Sequence, residues 1–178
     1  LDSMTSQRLN GLAPGQSAET LLLDPNGRVE HAIRVVDDGA TSWLLVDEGS
    51  AQPLAAYLNR MRFALRVEVT DASADFATVL AFDGGSALPS LRALGVAKVE
   101  WRDPWGEVVP GGIQYSTADG ADHPAVGWSA TYLVCPRDKM PRVAALADPT
   151  RETGVRAAGI TALDALEVRA FRPTQHGE

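Results

Sequence analysis

The chain has 178 residues, with 16 Lys and Arg against 23 Asp and Glu, a formal net charge of −7. An acidic surface of this kind lacks the clustered cations that neutralise phosphates, so neither nucleic acid nor an anionic membrane is expected as the primary partner. Hydrophobic residues at 45% and charged residues at 22% exclude a disordered or fibrous chain, and the length allows one large or two small domains.

In chain order, residues 20–23 and 29–36 flank Asp24-Pro25-Asn26-Gly27, where Pro presets φ and Asn-Gly accepts positive φ, which predicts a hairpin. Alternation in the second arm puts Val29, His31, Ile33 and Val35 on one face and Glu30, Ala32 and Arg34 on the other. Residues 43–46 read as a strand. Ser50 is then expected to cap a helix whose apolar side carries Leu54, Leu58 and Met61. Leu65, Val67 and Val69 alternate as a strand would, and residues 76–82 read as another. Gly84-Gly85 opens a short helix that Gly95 ends, and residues 96–101 form a strand. This β-α-β-β-α-β order is the ferredoxin-like pattern. Beyond it, residues 108–115 read as a bulged strand, 117–126 as a loop, 128–134 as a strand, and 136–146 and 161–170 as helices. The expected fold class is therefore α+β: an antiparallel-sheet domain of residues 1–40 and 103–178, holding an inserted ferredoxin-like unit at 41–102.

Chemistry is sparse. His31, His123 and His176 are dispersed without ligand spacing, so no metal site is expected. There is no GxGxxG, no Gly-Lys-Ser/Thr and no GxSxG; Gly84-Gly85 and Gly111-Gly112 read as backbone features. The single cysteine, Cys135, cannot form an intramolecular disulfide, which favours a reducing, cytoplasmic setting; within its apolar strand it reads as a core thiol. No apolar run approaches the roughly 18–20 residues of a membrane span. The chain starts at Leu1 without a signal-peptide pattern, so it is expected to begin inside a longer product. Trp43 and Trp101 read as core, whereas Trp105 and Trp128, beside turns, are candidates to line a cleft for a flat ligand. Glu30 and His31 are adjacent titratable groups just after the hairpin; a Glu30–Arg34 surface pair and a satisfied, half-buried His31 are the plain structural readings.

The opening Met4-Thr5-Ser6-Gln7-Arg8-Leu9, then Leu12-Ala13-Pro14-Gly15, and then residues 21–29 resemble the start of the folate-binding domain shared by the glycine-cleavage aminomethyltransferases (GcvT-type) and the YgfZ-type iron–sulfur accessory proteins. Residues 158–170 with Pro173 resemble that family's helix ending in Leu-Arg-Ile-Glu-Ala-Gly-x-Pro. The resemblance spans nearly the whole chain and rests on loose motifs in the same order. It implies tetrahydrofolate or a derivative as cofactor, bound in a cleft between two sheets, with Glu30, His31, Trp128 and Arg169 as the candidate cofactor-binding residues.

The departures point to a branch. Glu30 and His31 stand where the transferases carry paired aspartates, Arg169 stands where the family has the glutamate that holds the pterin edge, and Phe171 replaces a glycine. An arginine cannot accept hydrogen bonds from pterin donors. The pattern is thus closer to the YgfZ branch, which implies an accessory role in iron–sulfur cluster assembly or repair and, through it, tRNA modification, with iron–sulfur client proteins as partners. That branch's Lys-Gly-Cys-Tyr motif is not in the chain, so an N-terminal, folate-domain part of a longer protein with a C-terminal barrel is expected. The open alternatives are a tetrahydrofolate-dependent aminomethyl- or methyltransferase and a ligand-free interaction module.

Overall fold

The computed structural model describes residues 1–63, 65–106 and 122–174. The expected strand at 108–115, the first half of the loop at 117–126, Gly111-Gly112 and His176 lie outside them. The fold is α+β, with two three-stranded antiparallel sheets among the described residues.

The first sheet has the order β1 (Ser17–Leu23), β2 (Val29–Asp37), β3 (Ser42–Leu45). Its first turn forms as its residues dictate. Asp24 accepts the backbone N–H groups of Asn26 and Arg28 at 2.8 Å each, and Gly27 takes φ +84. The second turn is tied by Asp38, whose carboxylate accepts the N–H groups of Ala40 and Thr41 and the Trp43 indole N–H. These bonds, led by the indole, hold the Asp38 carboxyl far below the usual carboxylate range. One irregularity interrupts the β1–β2 register: Leu22 faces His31 and Leu23 faces Val29, so the ladder skips Glu30. The bulge leaves Glu30 outside the β1–β2 ladder.

The second sheet has the order β4 (Phe76–Phe82), β6 (Ala130–Pro136), β5 (Val99–Arg102). Its central strand carries Ala130, Thr131, Leu133, Val134 and Cys135 in the interior, the near-continuous apolar run of a strand covered on both faces.

Three cores stack the layers. Leu22, Ile33 and Val35 of the first sheet pack against Leu54 and Leu58 of α1 (Ala51–Met61). Val36 and Leu45 meet Trp101 and Val134 between the sheets. Ala81, Leu133 and Cys135 pack under Leu88 and Leu91 of α2 (Ala87–Leu94) and Val143 of α3 (Met140–Ala144). The order is therefore helix, sheet, sheet, helices. Trp101, fully buried, joins the sheets by donating its indole N–H to the Ala18 carbonyl at 2.7 Å.

Several elements differ from the sequence reading. Residues 65–70 carry no strand; Leu65 and Val67 are exposed and Val69 alone of the three packs on a core. The strands of 41–102 are shared between sheets, because β3 pairs with β2 while β4 and β5 both pair with β6. The helix expected at 136–146 is divided into 3-10 turns at Arg137–Lys139 and Ala145–Ala147 around α3. Ser50 precedes α1 but makes no side-chain cap bond.

Candidate functional site

α4 (Ile160–Arg169) ends in a turn that aims one residue inward. Phe171 adopts φ +53, its N–H meets the Val168 carbonyl, and the Arg172 N–H meets the Glu167 carbonyl at 2.9 Å. This left-handed closure reverses the chain and drives Arg172 between the sheets, where its side chain is 5% exposed.

Arg172 is held from several sides. Its Nε donates to Asp103 Oδ2 at 2.7 Å, Nη2 to Glu19 Oε1 at 2.7 Å, and Nη1 to the Pro173 carbonyl. The guanidinium also lies over the Trp105 ring, 5.8 Å from its centroid. Burial pushes the guanidinium toward neutrality, but Glu19 and Asp103 outweigh it and hold it above the ordinary arginine range. Asp103, equally deep, accepts a further bond from the Trp128 indole at 2.9 Å and one from the Trp105 backbone N–H at 3.0 Å. Trp105 closes the ring of contacts by donating its indole N–H to the Ala170 carbonyl at 2.9 Å.

A second arginine lies alongside. Arg34 of β2 pairs with Asp47 through Nη1 at 3.1 Å, and its guanidinium stands 5.0 Å from the Tyr132 ring centroid and 5.9 Å from that of Trp101. Its Nε is buried without a hydrogen-bond partner among the described residues. Glu167, the buried residue of α4, completes the group. Desolvation pushes its carboxyl above the ordinary value of 4.5, partly offset by Arg172 and Arg34. Burial likewise raises the Tyr132 phenol, with Glu167 and Asp103 adding to the rise. The result is an ionic core walled by Trp101, Trp105, Trp128 and Tyr132. Most of its donors and acceptors are satisfied within the group.

Of the residues expected at a cofactor site, Trp128 belongs to this core. Glu30 is exposed at the bulge, about 13 Å along the strand from Arg34 at ~3.3 Å per residue. His31 is half-buried, and its Nδ1 is buried with no hydrogen-bond partner among the described residues, because the face it shares with Leu22, Ile33 and Val35 is aliphatic. Arg169 is exposed on the outer side of α4. The structure thus does not gather the four into one site. Arg34 is engaged by Asp47, which departs from the expected surface pair with Glu30.

Reasoning from sequence missed Glu19, Arg34, Asp103, Tyr132, Glu167 and Arg172. Nothing in the local pattern sets Arg34 apart, because a charge between the buried Ile33 and Val35 is what alternation gives a strand with one wet face.

Of two open clefts in the structure, Asp103 of the ionic core lines the smaller. One of about 200 Å³ is bordered by Ser17, Arg102 and Asp103; the other, about 310 Å³, lies between Leu9, Asn10 and Asp37. Cys135 offers no nucleophile, being fully buried on the helix side of β6 with its thiol pushed up by desolvation. No group of three or more His, Cys, Asp or Glu among the described residues is placed to hold a metal ion, and none of their helices is long and apolar enough to cross a membrane. No protein-family model matches the chain, and no curated protein does.

Proposed function

We propose that this chain is a YgfZ-type, folate-binding accessory protein that acts in the cytoplasm in iron–sulfur cluster assembly or repair and, through it, in tRNA modification. Reduced folate is its ligand and iron–sulfur proteins are its clients. One observation carries the reading: residues 166–173, the segment resembling the family's terminal motif, bring Glu167 and Arg172 into the ionic core beside Trp105 and Trp128. A planar heterocycle needs flat apolar surfaces and a few fixed polar groups. Trp105 and Trp128 supply the first, and Asp103, Arg172 and Glu167 the second. The carboxylic acid missing at Arg169 is available two residues earlier, on the buried side of α4.

The folate-domain assignment, with residues 1–40 and 103–178 around an insert at 41–102, belongs to the same proposal. Its boundary at 102/103 divides the chain and not the hydrogen bonding, since β6 pairs with both β4 and β5. The cleft beside Asp103, about 200 Å³, is smaller than the roughly 300–1,000 Å³ of enclosing ligand pockets, so a bound folate would leave part of its length in solvent.

A second reading, a ligand-free interaction module, is favoured by the exposure of Ile160, Leu166, Val168 and Phe171 on and after α4. Calorimetric titration with tetrahydrofolate and a formyl derivative separates the two. The folate reading expects one site, weakened at least tenfold in Trp128→Ala. A folded sample giving neither heat nor a thermal shift at about millimolar ligand selects the module instead.

A further inference from the structure

The attachment of α4 is unusual in kind. After Val155, which is buried, the chain buries no residue until Glu167; the inward anchors after that are Ala170 and Arg172. Val168, at 76% exposure, and Ile160 point into solvent, so the helix is not held by an apolar stripe as surface helices ordinarily are. Leu163 is half-buried near its middle, but its hydrogen-bonded fastenings lie at one end. They are the Arg172 bonds to Asp103 and to Glu19, and the Trp105 indole bond to the Ala170 carbonyl. The other end begins at Gly159, in extended backbone at φ −80 and ψ 169, after an exposed run from Arg156. The sheets, in contrast, have their own apolar core in Val36, Leu45, Trp101 and Val134, to which α4 contributes nothing.

We propose that α4 is a strap fastened by Arg172, able to leave the body as a unit while both sheets stay folded, so that its release uncovers Asp103, Trp105 and Trp128. Arg172 suits the role because one planar fork reaches β1 through Glu19 and the segment after β5 through Asp103. Local opening of this kind draws on elements with few buried apolar contacts. The inference stands on the packing of α4 and does not rest on folate binding.

Hydrogen–deuterium exchange of the whole chain tests it. In the unaltered protein the amides of α4 should exchange faster than those of β2 and β6. Arg172→Met should accelerate α4 exchange at least tenfold and leave β2 and β6 unchanged, while Arg172→Lys, which keeps the charge but not the fork, should fall between. If Arg172→Met fails to fold, Glu19→Ala decides the matter, because it removes the β1 partner and leaves Asp103 in place. The proposal is overturned if, in the deciding variant, α4 exchange does not change or the sheets lose protection together with the helix.

Discussion

Phe171 holds a left-handed backbone with its ring 72% exposed, so its side chain returns little for the strain of a Cβ in that region. Phe171→Gly is expected to stabilise the protein by about 1 kcal/mol, the left-handed cost less the added freedom of an unfolded glycine, as read by denaturant unfolding. Asp103 is the opposite case. Asp103→Ala would leave the Arg172 guanidinium buried with one carboxylate fewer, and is expected to cost about 3–5 kcal/mol by the same measurement. Glu167 gives a pH signature. Its folded value lies above the ordinary 4.5, chiefly through desolvation, so the folded state favours the protonated acid. The stabilisation is fully present below the unfolded value and is lost as pH rises through the folded one. Glu167→Gln should therefore flatten the fall in stability on that side, and unfolding curves of the two proteins between about pH 4 and pH 8 should diverge in favour of the variant as pH rises.

At the scale of elements, α2 ends at Gly95, whose φ of +61 lets its N–H return to the Arg92 carbonyl at 3.0 Å. Gly95→Ala is expected to cost about 1 kcal/mol, measurable as a lowered melting temperature with unchanged helix content. Elements with strong local chemistry were legible in the sequence: the Asp24–Gly27 turn, β4 at Phe76–Phe82, and α2 with its glycine stop all lie where turn residues and periodicity put them. The strand read at 65–69 failed because alternation reports a half-buried surface only if another strand covers it, and Leu65 and Val67 face water. The ionic core was illegible for a related reason. In a four-layer stack the second face of β2 meets another sheet and not solvent, so Arg34, which by alternation belongs on a wet face, is taken inside. Arg172 was hidden by the turn at Phe171, because helical periodicity stops one residue before the side chain that matters.

For the whole molecule, the separation of Glu30 from the ionic core bears on catalysis. Because Glu30 lies exposed at the bulge, about four strand residues (~13 Å) from Arg34, no aminomethyl transfer from a lipoyl-bound donor to tetrahydrofolate is expected, since an acid or base must reach the reacting nitrogen directly or through one water. A transfer assay beside Glu30→Ala checks this; transfer above background that vanishes in the variant would make the protein a transferase. The strand order β4-β6-β5 has a different consequence, in the order of synthesis. Among the described residues β4 and β5 both pair with β6, so on a ribosome they emerge before residues 130–136, the strand that joins them. For that interval the apolar strand β4 waits without the partner it has in the folded sheet, the condition that draws nascent chains into aggregation or onto a chaperone. Sheet two therefore closes late and at once, when its middle strand slides between neighbours already made.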